Sequence, residues 1–251
     1  MATAGLVSRF SGVGVGFNLA RLEDAVVLGN LGRGTQLFVP GHGCDRIYLL
    51  NSGRVKISTT GSGGKSCLFH LVEPGEIFGE AGLLGETVRT AAAEVLEPAS
   101  VTMVPVRSVL AHAQVHPDFW LWLAPLLRKR IRSLEEQLQW VSFLEVEERL
   151  ARLLLRWAES EDLDESNCSS AELRLSQRDM AGLIGATRET TSSALNRLQR
   201  SGAINIRRRC VTVESIAALR AAAGDLPAAK PAPEAEASPT LVRVHKAGGK
   251  R

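Results

Sequence analysis

The sequence predicts an α+β chain in which a strand-rich domain, a long helix and a winged helix-turn-helix follow one another. Short β-rich runs punctuated by glycine extend over residues 35–106, apolar residues recur at heptad spacing over 127–141, and two short amphipathic helices occupy 175–198. The expected divisions are a weakly ordered segment 1–34, a β domain 35–116, a long helix 117–142, a winged helix-turn-helix 143–223 and a disordered tail 224–251.

The first of these patterns predicts an all-β N-terminal domain. The segment before it is rich in glycine and alanine, with only a weak helical pattern near Leu19–Leu28. From residue 35 onward, runs such as TQLFV, RIYLL and CLFHLV alternate with turns at Pro40-Gly41, Ser52-Gly53 and Pro74-Gly75. Many short strands at regular spacing favour a β-barrel or sandwich, and we predict a barrel.

The second pattern predicts a long helix that begins at Asp118. It carries what we call the heptad seam, five apolar residues spaced 4, 3, 4, 3: Leu127, Ile131, Leu134, Leu138 and Val141. A seam without a partner in its own chain favours the same helix from a second copy, hence a homodimer. The alternative is a helix packed on its own β domain.

Basic residues beside the seam are interpreted as mostly solvated surface. They are Arg128, Lys129, Arg130 and Arg132. The heptad phase is lost near residues 142–144, before a new helix predicted at Val146–Ala158, and we expect a hinge there.

The third pattern is typical of a helix-turn-helix. Ser176 and Asp179 resemble a capping box, Gly185 is placed to end the first helix, and Thr187 can cap the second. The predicted outer face of the second helix is polar and comprises Arg188, Glu189, Ser192, Ser193, Asn196 and Gln199. An Arg can grip guanine bidentately and a Glu can accept from the cytosine amino group, so these residues suit the major groove. An ordinary helical hairpin with a solvated face is the alternative.

Charge supports a double-stranded DNA operator as the partner. The whole chain has a net charge of only +3, but residues 174–209 contain eight arginines against two carboxylates, a local charge of +6. After the helices, two short β runs flank Arg207, Arg208 and Arg209 as a hairpin with a basic tip. Such a wing would place its arginines on DNA phosphates.

Other functional classes lack their signals in this sequence. The cysteines Cys44, Cys67, Cys168 and Cys210 are scattered without a C-x-x-C pair, so we expect reduced thiols and no metal. The histidines have no spacing that pairs them with an acid or a nucleophile, so we expect structural histidines and no enzyme: His42, His70, His112, His116 and His245. Without a long apolar stretch or a secretory signal, a cytoplasmic protein that does not bind membranes is expected.

The β domain contains one further motif, FGEAGLLGETVRTAA at residues 78–92, which we call the cassette. Its glycines let backbone N–H groups approach an anion, and a short helical turn after Glu80 would direct its N-terminus at that anion. Arg89 supplies a charge-assisted phosphate contact, whereas a carboxylate such as Glu80 accepts from a ribose hydroxyl. A phosphate beside a ribose hydroxyl describes a cyclic nucleotide.

The order of barrel, cassette, heptad helix, hinge and winged helix-turn-helix resembles the cyclic-AMP receptor protein and FNR family of bacterial transcription regulators, over roughly residues 35–220. The resemblance implies a jelly-roll barrel and a regulator gated by a cyclic nucleotide, with cyclic AMP the first candidate and cyclic GMP or a cyclic dinucleotide the others. It implies that Glu80 holds the ribose and that Arg89 and Thr90 hold the phosphate, helped by Gly79 and the backbone near Ala81. RNA polymerase is a further candidate partner.

Three departures from the family pattern affect what is sensed and read. An adjacent Thr-Ser pair that reaches adenine in the cyclic-AMP receptor corresponds here to Leu134 and Glu135, so base identity stays open. Ser193 stands where many members carry another DNA-contacting Arg, which predicts a different operator. The cysteine cluster of iron–sulfur members is absent from the sequence. A DNA-binding regulator with a non-functional cassette, answering to redox or another small molecule, and a regulatory module of an enzyme complex are the alternatives.

Overall fold

An antiparallel sheet forms the N-terminal half of the molecule. The computed structural model describes residues 19, 22–62, 66–168, 172–207 and 210–224. The strands of this sheet are β1 (Val26–Leu31), β2 (Gln36–Phe38), β3 (Arg46–Thr60), β4 (Ser66–Val72), β5 (Ile77–Phe78) and β6 (Ala92–Pro105). Their order is β1-β6-β3-β4, with β2 on β6 and β5 on β3, and no pairing among the described residues joins β1 to β4.

Two sequence-based predictions for this domain are wrong in detail. The helical pattern near Leu19–Leu28 gives way at Val26 to β1, which pairs with β6 and lies inside the segment predicted to be weakly ordered. The turn predicted at Ser52-Gly53 lies inside the continuous strand β3, where the register with β6 shifts. Gly53 has φ +84°, and a β-carbon there would lie 2.3 Å from Pro98 O, so glycine permits an irregularity in the strand without ending it.

Two helices follow the sheet, α1 (Val106–Val115) and α2 (Asp118–Phe143). The beginning of α2 is buried through Phe119 and Leu123, which share an apolar cluster with Ile77 at the edge of the cassette. The start of α2 at Asp118 confirms the predicted long helix. The packing of Phe119 and Leu123 against Ile77 positions the rest of α2 relative to the cassette.

The heptad seam stays on the surface of the chain beyond its first residue. Leu127 packs against the apolar cluster that contains Ile77, Phe119 and Leu123. The other four seam residues are largely exposed, at 51% for Ile131, 45% for Leu134, 68% for Leu138 and 49% for Val141. The alternative in which the seam packs on its own β domain is therefore wrong for these four residues.

The C-terminal part has the predicted helix-turn-helix and the flanks of the wing. Its elements are α3 (Val146–Ser160), β7 (Glu172–Leu173), α4 (Gln177–Ile184), α5 (Arg188–Arg200), β8 (Ile204–Arg207), β9 (Cys210–Val213) and α6 (Ile216–Ala222). The Ser176 side chain accepts from Asp179 N, Gly185 ends α4 at φ +66°, and the Thr187 side chain accepts from Thr190 N. All three predicted caps are thus confirmed. The wing tip, Arg208 and Arg209, and the tail after residue 224 lie outside the described residues.

The helix-turn-helix is docked on the β domain through α4 and β4. Leu68 of β4 is buried in the apolar core of the C-terminal part, and a β-carbon at Gly182 of α4 would lie 3.2 Å from Leu68 Cβ. Lys56 Nζ of β3 lies 3.0 Å from Asp179 Oδ1 at the start of α4, and 3.3 Å from Glu94 Oε1. This contact between residues far apart in the chain was not predicted.

Candidate functional site

The cassette begins at the end of β5 and turns directly into a short 3₁₀ helix, Glu80–Leu84, as the sequence predicts. Gly79 precedes this helix with φ +75°, a conformation that favours glycine. A β-carbon at Gly82 would lie 2.0 Å from Cys44 O, so the helix can pack against the loop before β3 only with glycine at this position. The two glycines thus fix where Glu80 and the half-buried Ala81 lie.

Arg89 lies across the start of the cassette and is only 4% exposed. Its Nη1 donates to Gly79 O at 2.8 Å, its Nη2 donates to Arg46 O, and its Cζ lies 4.3 Å from the centre of the Phe38 ring. Its buried Nε has no hydrogen-bond acceptor among the described residues. The structure therefore brings Arg89 and Gly79 together, whereas the neighbouring Thr90 is exposed.

Glu80 is held by Arg130, a residue that the sequence analysis assigned to solvated surface. The two side chains are 19% and 16% exposed and form an ion pair, and Arg130 also donates to Ile77 O. Burial alone would raise the pKa of the Glu80 carboxyl, but the charge and hydrogen bond of Arg130 outweigh it and lower that pKa. Glu80 is therefore a carboxylate at neutral pH, which can accept hydrogen bonds but not donate them.

The interpretation as solvated surface is correct for the other three basic residues and wrong for Arg130. The side chains of Arg128, Lys129 and Arg132 are 62%, 65% and 74% exposed. Arg130 directly precedes Ile131 of the seam, which places it on the side of α2 that faces the sheet. No signal in the sequence separates Arg130 from its basic neighbours, because only the orientation of α2 against the sheet decides which of them is buried.

His70 of β4 is a further polar group at this site. Burial, followed by the nearby charge of Arg130, lowers the pKa of His70 to about 4, so its ring is neutral at pH 7. Its buried Nε2 has no hydrogen-bond partner among the described residues. The expectation of a satisfied structural histidine is therefore wrong for this nitrogen, which spacing along the sequence could not reveal.

Leu134 and Glu135 do not join the cassette within one chain. Leu134 is on the exposed seam, and the Glu135 carboxylate lies 3.0 Å from Arg128 Nη1, with its side chain 54% exposed. Gln137, two residues further along α2, instead donates to Phe69 O of β4 at 3.3 Å. The α2 face that carries Arg130 and Gln137 therefore contacts the sheet, and the face that carries Glu135 is open.

The candidate nucleic-acid interface is the polar face of α5. Its buried face is the predicted one, Thr191, Ala194, Leu195 and Leu198. Of the predicted DNA-reading residues, Ser192 is half-buried, and the others are exposed: Arg188, Glu189, Ser193 and Asn196. Ser193 Oγ donates to Glu189 O at 3.1 Å, so this hydroxyl is bonded within its own helix.

A cleft of about 390 Å³ separates α4, α5 and the wing hairpin formed by β8 and β9. Arg178, Arg188 and Arg207 line it from these three elements, beside Cys210. Three guanidinium groups on one cleft give a positive potential, which attracts a phosphate backbone. Arg207 therefore lies beside α5, the second helix of the helix-turn-helix, which we call the recognition helix. This is the position predicted for a wing residue.

Two searches of the described residues concern metals and membranes. No group of three or more His, Cys, Asp and Glu side chains in this part of the chain is arranged to hold a metal ion. None of its helices combines the length and apolar character needed to cross a bilayer.

Comparisons with known proteins match both halves of the chain. A family model described as "Cyclic nucleotide-binding domain" matches residues 29–115, and one described as "Crp-like helix-turn-helix domain" matches residues 148–222. A cyclic AMP receptor protein of Thermus thermophilus is 31% identical over 187 residues, covering 74% of this chain and 83% of that protein. A CRP-like cAMP-activated global transcriptional regulator of Mycobacterium tuberculosis is 27% identical over 181 residues, covering 72% and 81%.

Solved structures show the same fold. A CRP-family transcriptional regulator of Thermus thermophilus superposes with a TM-score of 0.64 at 26% identity, covering 80% of this chain and 100% of that one. A c-di-GMP responsive global regulator of Xanthomonas campestris superposes with a TM-score of 0.67 at 22% identity, covering 76% and 95%.

Proposed function

The chain belongs to the cyclic-AMP receptor protein and FNR family of transcription regulators, and we propose that it acts as a homodimer whose operator binding is gated by a cyclic nucleotide. The observation that carries the proposal is the set of buried polar groups at the cassette. Arg89 Nε and His70 Nε2 have no partner among the described residues, and Glu80 is an ionised acceptor. Unpaired buried polar groups are costly, and a polar ligand would satisfy them.

These groups fit the chemistry of a cyclic nucleotide. Arg89 would hold the phosphate with Thr90 and the backbone of Gly79 and Ala81, and Glu80 would hold the ribose hydroxyl. The bound nucleotide would supply negative charge and ribose hydrogen bonds at the start of the 3₁₀ helix. Arg89 would exchange contacts with neutral carbonyls for stronger contacts with an anion.

The homodimer is supported by the exposed heptad seam. An operator read by two recognition helices requires both of them on one face of the DNA, about 34 Å apart. Two α2 helices paired in the same direction along the seam would place both helix-turn-helix units at the same end of the assembly. Leaving four large apolar residues of the seam uncovered is otherwise unfavourable.

The gating path is proposed to run through β4. This strand carries His70 beside the cassette and, two residues earlier, Leu68 in the contact with α4. A nucleotide that binds more tightly to one arrangement of β4 and α2 would shift the balance between docked and released helix-turn-helix units. The ion pair between Lys56 and Asp179 stabilises the docked arrangement.

Isothermal titration with cyclic AMP, cyclic GMP and a cyclic dinucleotide tests the ligand. We expect at least one of them to bind the wild type, and Arg89→Ala to weaken it at least about 100-fold, because a charge-assisted bidentate contact is lost. Arg33→Ala, which removes an exposed arginine of the same domain, is the matched control and should bind normally. Absence of binding by all three nucleotides would end the gating proposal.

Selection of an operator from random DNA, followed by gel shifts with and without nucleotide, tests the output. A nucleotide-dependent change in affinity is expected. RNA polymerase is the candidate second partner, and run-off transcription from a promoter that contains the selected operator tests it and separates activation from repression.

One observation favours the alternative of a regulator that does not use its cassette. The Arg89 guanidinium is buried on Gly79 O, Arg46 O and the Phe38 ring, so binding of a phosphate would require it to leave existing partners. Equal operator affinity with and without each nucleotide, together with dependence on a thiol reductant, would support that alternative.

A further inference from the structure

Arg156 of α3 contacts three residues of α2. Its Nη1 lies 3.4 Å from Glu136 Oε2, its Nη2 donates to Ser133 Oγ at 3.2 Å, and its Cζ lies 5.6 Å from the centre of the Trp140 ring. The three α2 residues follow one another at i, i+3 and i+7, so they share one face of that helix. We call Arg156 and these three residues the clasp.

The clasp bridges the break between the two helices. α2 ends at Phe143 and α3 begins at Val146, close to the hinge that the sequence predicts. Arg156 lies ten residues beyond Val146, about 15 Å along the helix axis. A rotation of about 15° at the hinge would therefore displace its guanidinium by about 4 Å, enough to separate it from Glu136 and Trp140.

α3 and the helix-turn-helix belong to one packed body. Leu154 of α3, Met180 of α4 and Leu195 of α5 are buried in the same apolar cluster. Because a packed core of this kind moves as a unit, α4 can leave β4 only if α3 rotates with it. The clasp and the ion pair between Lys56 and Asp179 would then break in the same step.

The docked arrangement covers most of α4. Its residues Asp179–Ile184 are all buried, and a β-carbon at Gly182 would lie 3.2 Å from Leu68 Cβ and 3.4 Å from Ser66 O of β4. The first helix of a helix-turn-helix crosses the DNA backbone when the second lies in the major groove. The docked arrangement therefore obstructs the approach of a DNA backbone to α4.

We propose that Arg156 is a positioning residue whose clasp holds the helix-turn-helix in the docked arrangement and must open before the protein binds its operator. The clasp thereby lowers the operator affinity of the nucleotide-free protein. This inference rests on the proposed function, because it concerns the same change between docked and released helix-turn-helix units. It adds a second point of attachment, separate from the cassette and from the polar face of α5.

The contacts of the clasp reinforce one another. Glu136 also pairs with Arg132 at 3.2 Å, so one carboxylate is shared between two guanidinium groups. A single ion pair with side chains 43% and 34% exposed, as in Arg156 and Glu136, would contribute little. Ser133 and the buried Trp140 ring add a hydrogen bond and a cation–π contact. Together these contacts should favour the docked arrangement about tenfold.

Fluorescence anisotropy with the selected operator, measured on the full-length protein, tests the clasp. Arg156→Met keeps an apolar stem and removes the guanidinium. Without nucleotide it should bind the operator about tenfold more tightly than the wild type, because a larger fraction of the protein is released. With a saturating concentration of cyclic AMP, cyclic GMP or the cyclic dinucleotide, whichever binds, the difference should be less than about twofold. A merely structural role would instead weaken operator binding in both conditions.

Arg128→Met is the matched control. Arg128 is an exposed arginine of α2 whose ion pair with Glu135 stays within that helix, so its operator affinity without nucleotide should equal that of the wild type. Glu136→Gln weakens the clasp from the α2 side and should raise the nucleotide-free affinity in the same direction as Arg156→Met. The double variant Arg156→Met/Glu136→Gln should match Arg156→Met alone, because both changes remove the same contact.

Fluorine NMR of protein labelled with fluorotryptophan reports whether the clasp opens. The Trp140 resonance is identified by its loss in Trp140→Phe, and it should shift in Arg156→Met because the cation leaves the ring. Operator DNA added to the wild type should shift this resonance in the same direction.

The outcomes separate this inference from the proposed function. If none of the three nucleotides changes operator binding, nucleotide gating fails, while tighter operator binding by Arg156→Met and a DNA-dependent shift of the Trp140 resonance still support the clasp. If Arg156→Met binds the operator no more tightly than Arg128→Met without nucleotide, the inference is overturned. An unchanged Trp140 resonance in the wild type on addition of operator DNA also overturns it.

Discussion

Replacing Lys56 by methionine is expected to release the helix-turn-helix from the β domain. Lys56 Nζ lies between Asp179 Oδ1 of α4 and Glu94 Oε1 of β6, at 3.0 and 3.3 Å. Its side chain is 16% exposed and that of Asp179 is 9% exposed. Methionine keeps the length and apolar character of the stem but leaves the Asp179 carboxylate buried without its cation.

The free-energy cost of this substitution depends on whether the Asp179 carboxylate stays buried or becomes exposed to water. Removing one member of a fully buried ion pair costs about 3–5 kcal/mol when the other charge stays buried. Here undocking exposes Asp179 to water, and Ser176 Oγ still lies 2.5 Å from its Oδ2, so we expect the loss of one charged hydrogen bond, about 1.5–3 kcal/mol. That loss corresponds to an increase of about 10–100-fold in the population of the undocked arrangement.

Hydrogen exchange measured by mass spectrometry on peptides that cover β4 and α4 reports this population. Protection of both segments should fall together in Lys56→Met, and Lys56→Arg should retain it. The double variant Lys56→Met/Asp179→Asn should recover part of the loss, because no charge is then left unpaired on α4. Unchanged protection in Lys56→Met, or a double variant equal to the sum of the single effects, would refute a coupling between these two side chains.

Three further predictions follow from the site. Because the pKa of His70 is about 4 in the folded chain and 6.5 in the unfolded chain, its contribution to stability is complete above about pH 6.5 and is lost as the pH falls towards 4. The loss is about 3 kcal/mol. The free energy of unfolding should therefore depend less on pH in His70→Gln than in the wild type. Identical pH profiles for the two proteins would contradict a lowered pKa of His70. Leu138→Glu should weaken dimerisation roughly 1000-fold, because each of two copies loses about 2 kcal/mol of apolar burial. Gln139→Glu adds the same charge off the seam and should leave dimerisation unchanged. Sedimentation equilibrium measures both dissociation constants. Arg188→Ala should lose discrimination at one base pair of the selected operator, and Arg207→Ala should weaken all sequences alike with a smaller salt dependence; matching specificity profiles would contradict these roles.

The elements that the sequence predicted well are those whose signals are local. The caps at Ser176, Gly185 and Thr187 depend on residues within one helical turn, and the seam of α2 depends on spacing within one helix. The strand β1 was missed because Gly29 and Asn30 interrupt its short apolar run, and only pairing with β6 makes it a strand.

The candidate site was predicted only in part, because some of its contacts are local in sequence and others are not. Gly79, Glu80 and Arg89 belong to one short motif, and their proximity follows from a single turn of the chain. Arg130 contacts Glu80 across a large separation in sequence, and its charge looks no different from that of Arg128 or Arg132. Which of several neighbouring arginines is buried depends on the orientation of α2 against the sheet.

The order of the two functional motifs, the polar face of α5 and the heptad seam could all be predicted from the sequence, because each depends on residues close together along the chain. Only the folded chain shows which buried polar groups have partners. The nitrogens of Arg89 and His70 have none among the described residues, Arg130 pairs with Glu80, and Lys56 of β3 pairs with Asp179 of α4. These depend on distances between segments separated by tens of residues, and on the free energy of burying charge, which no local pattern encodes.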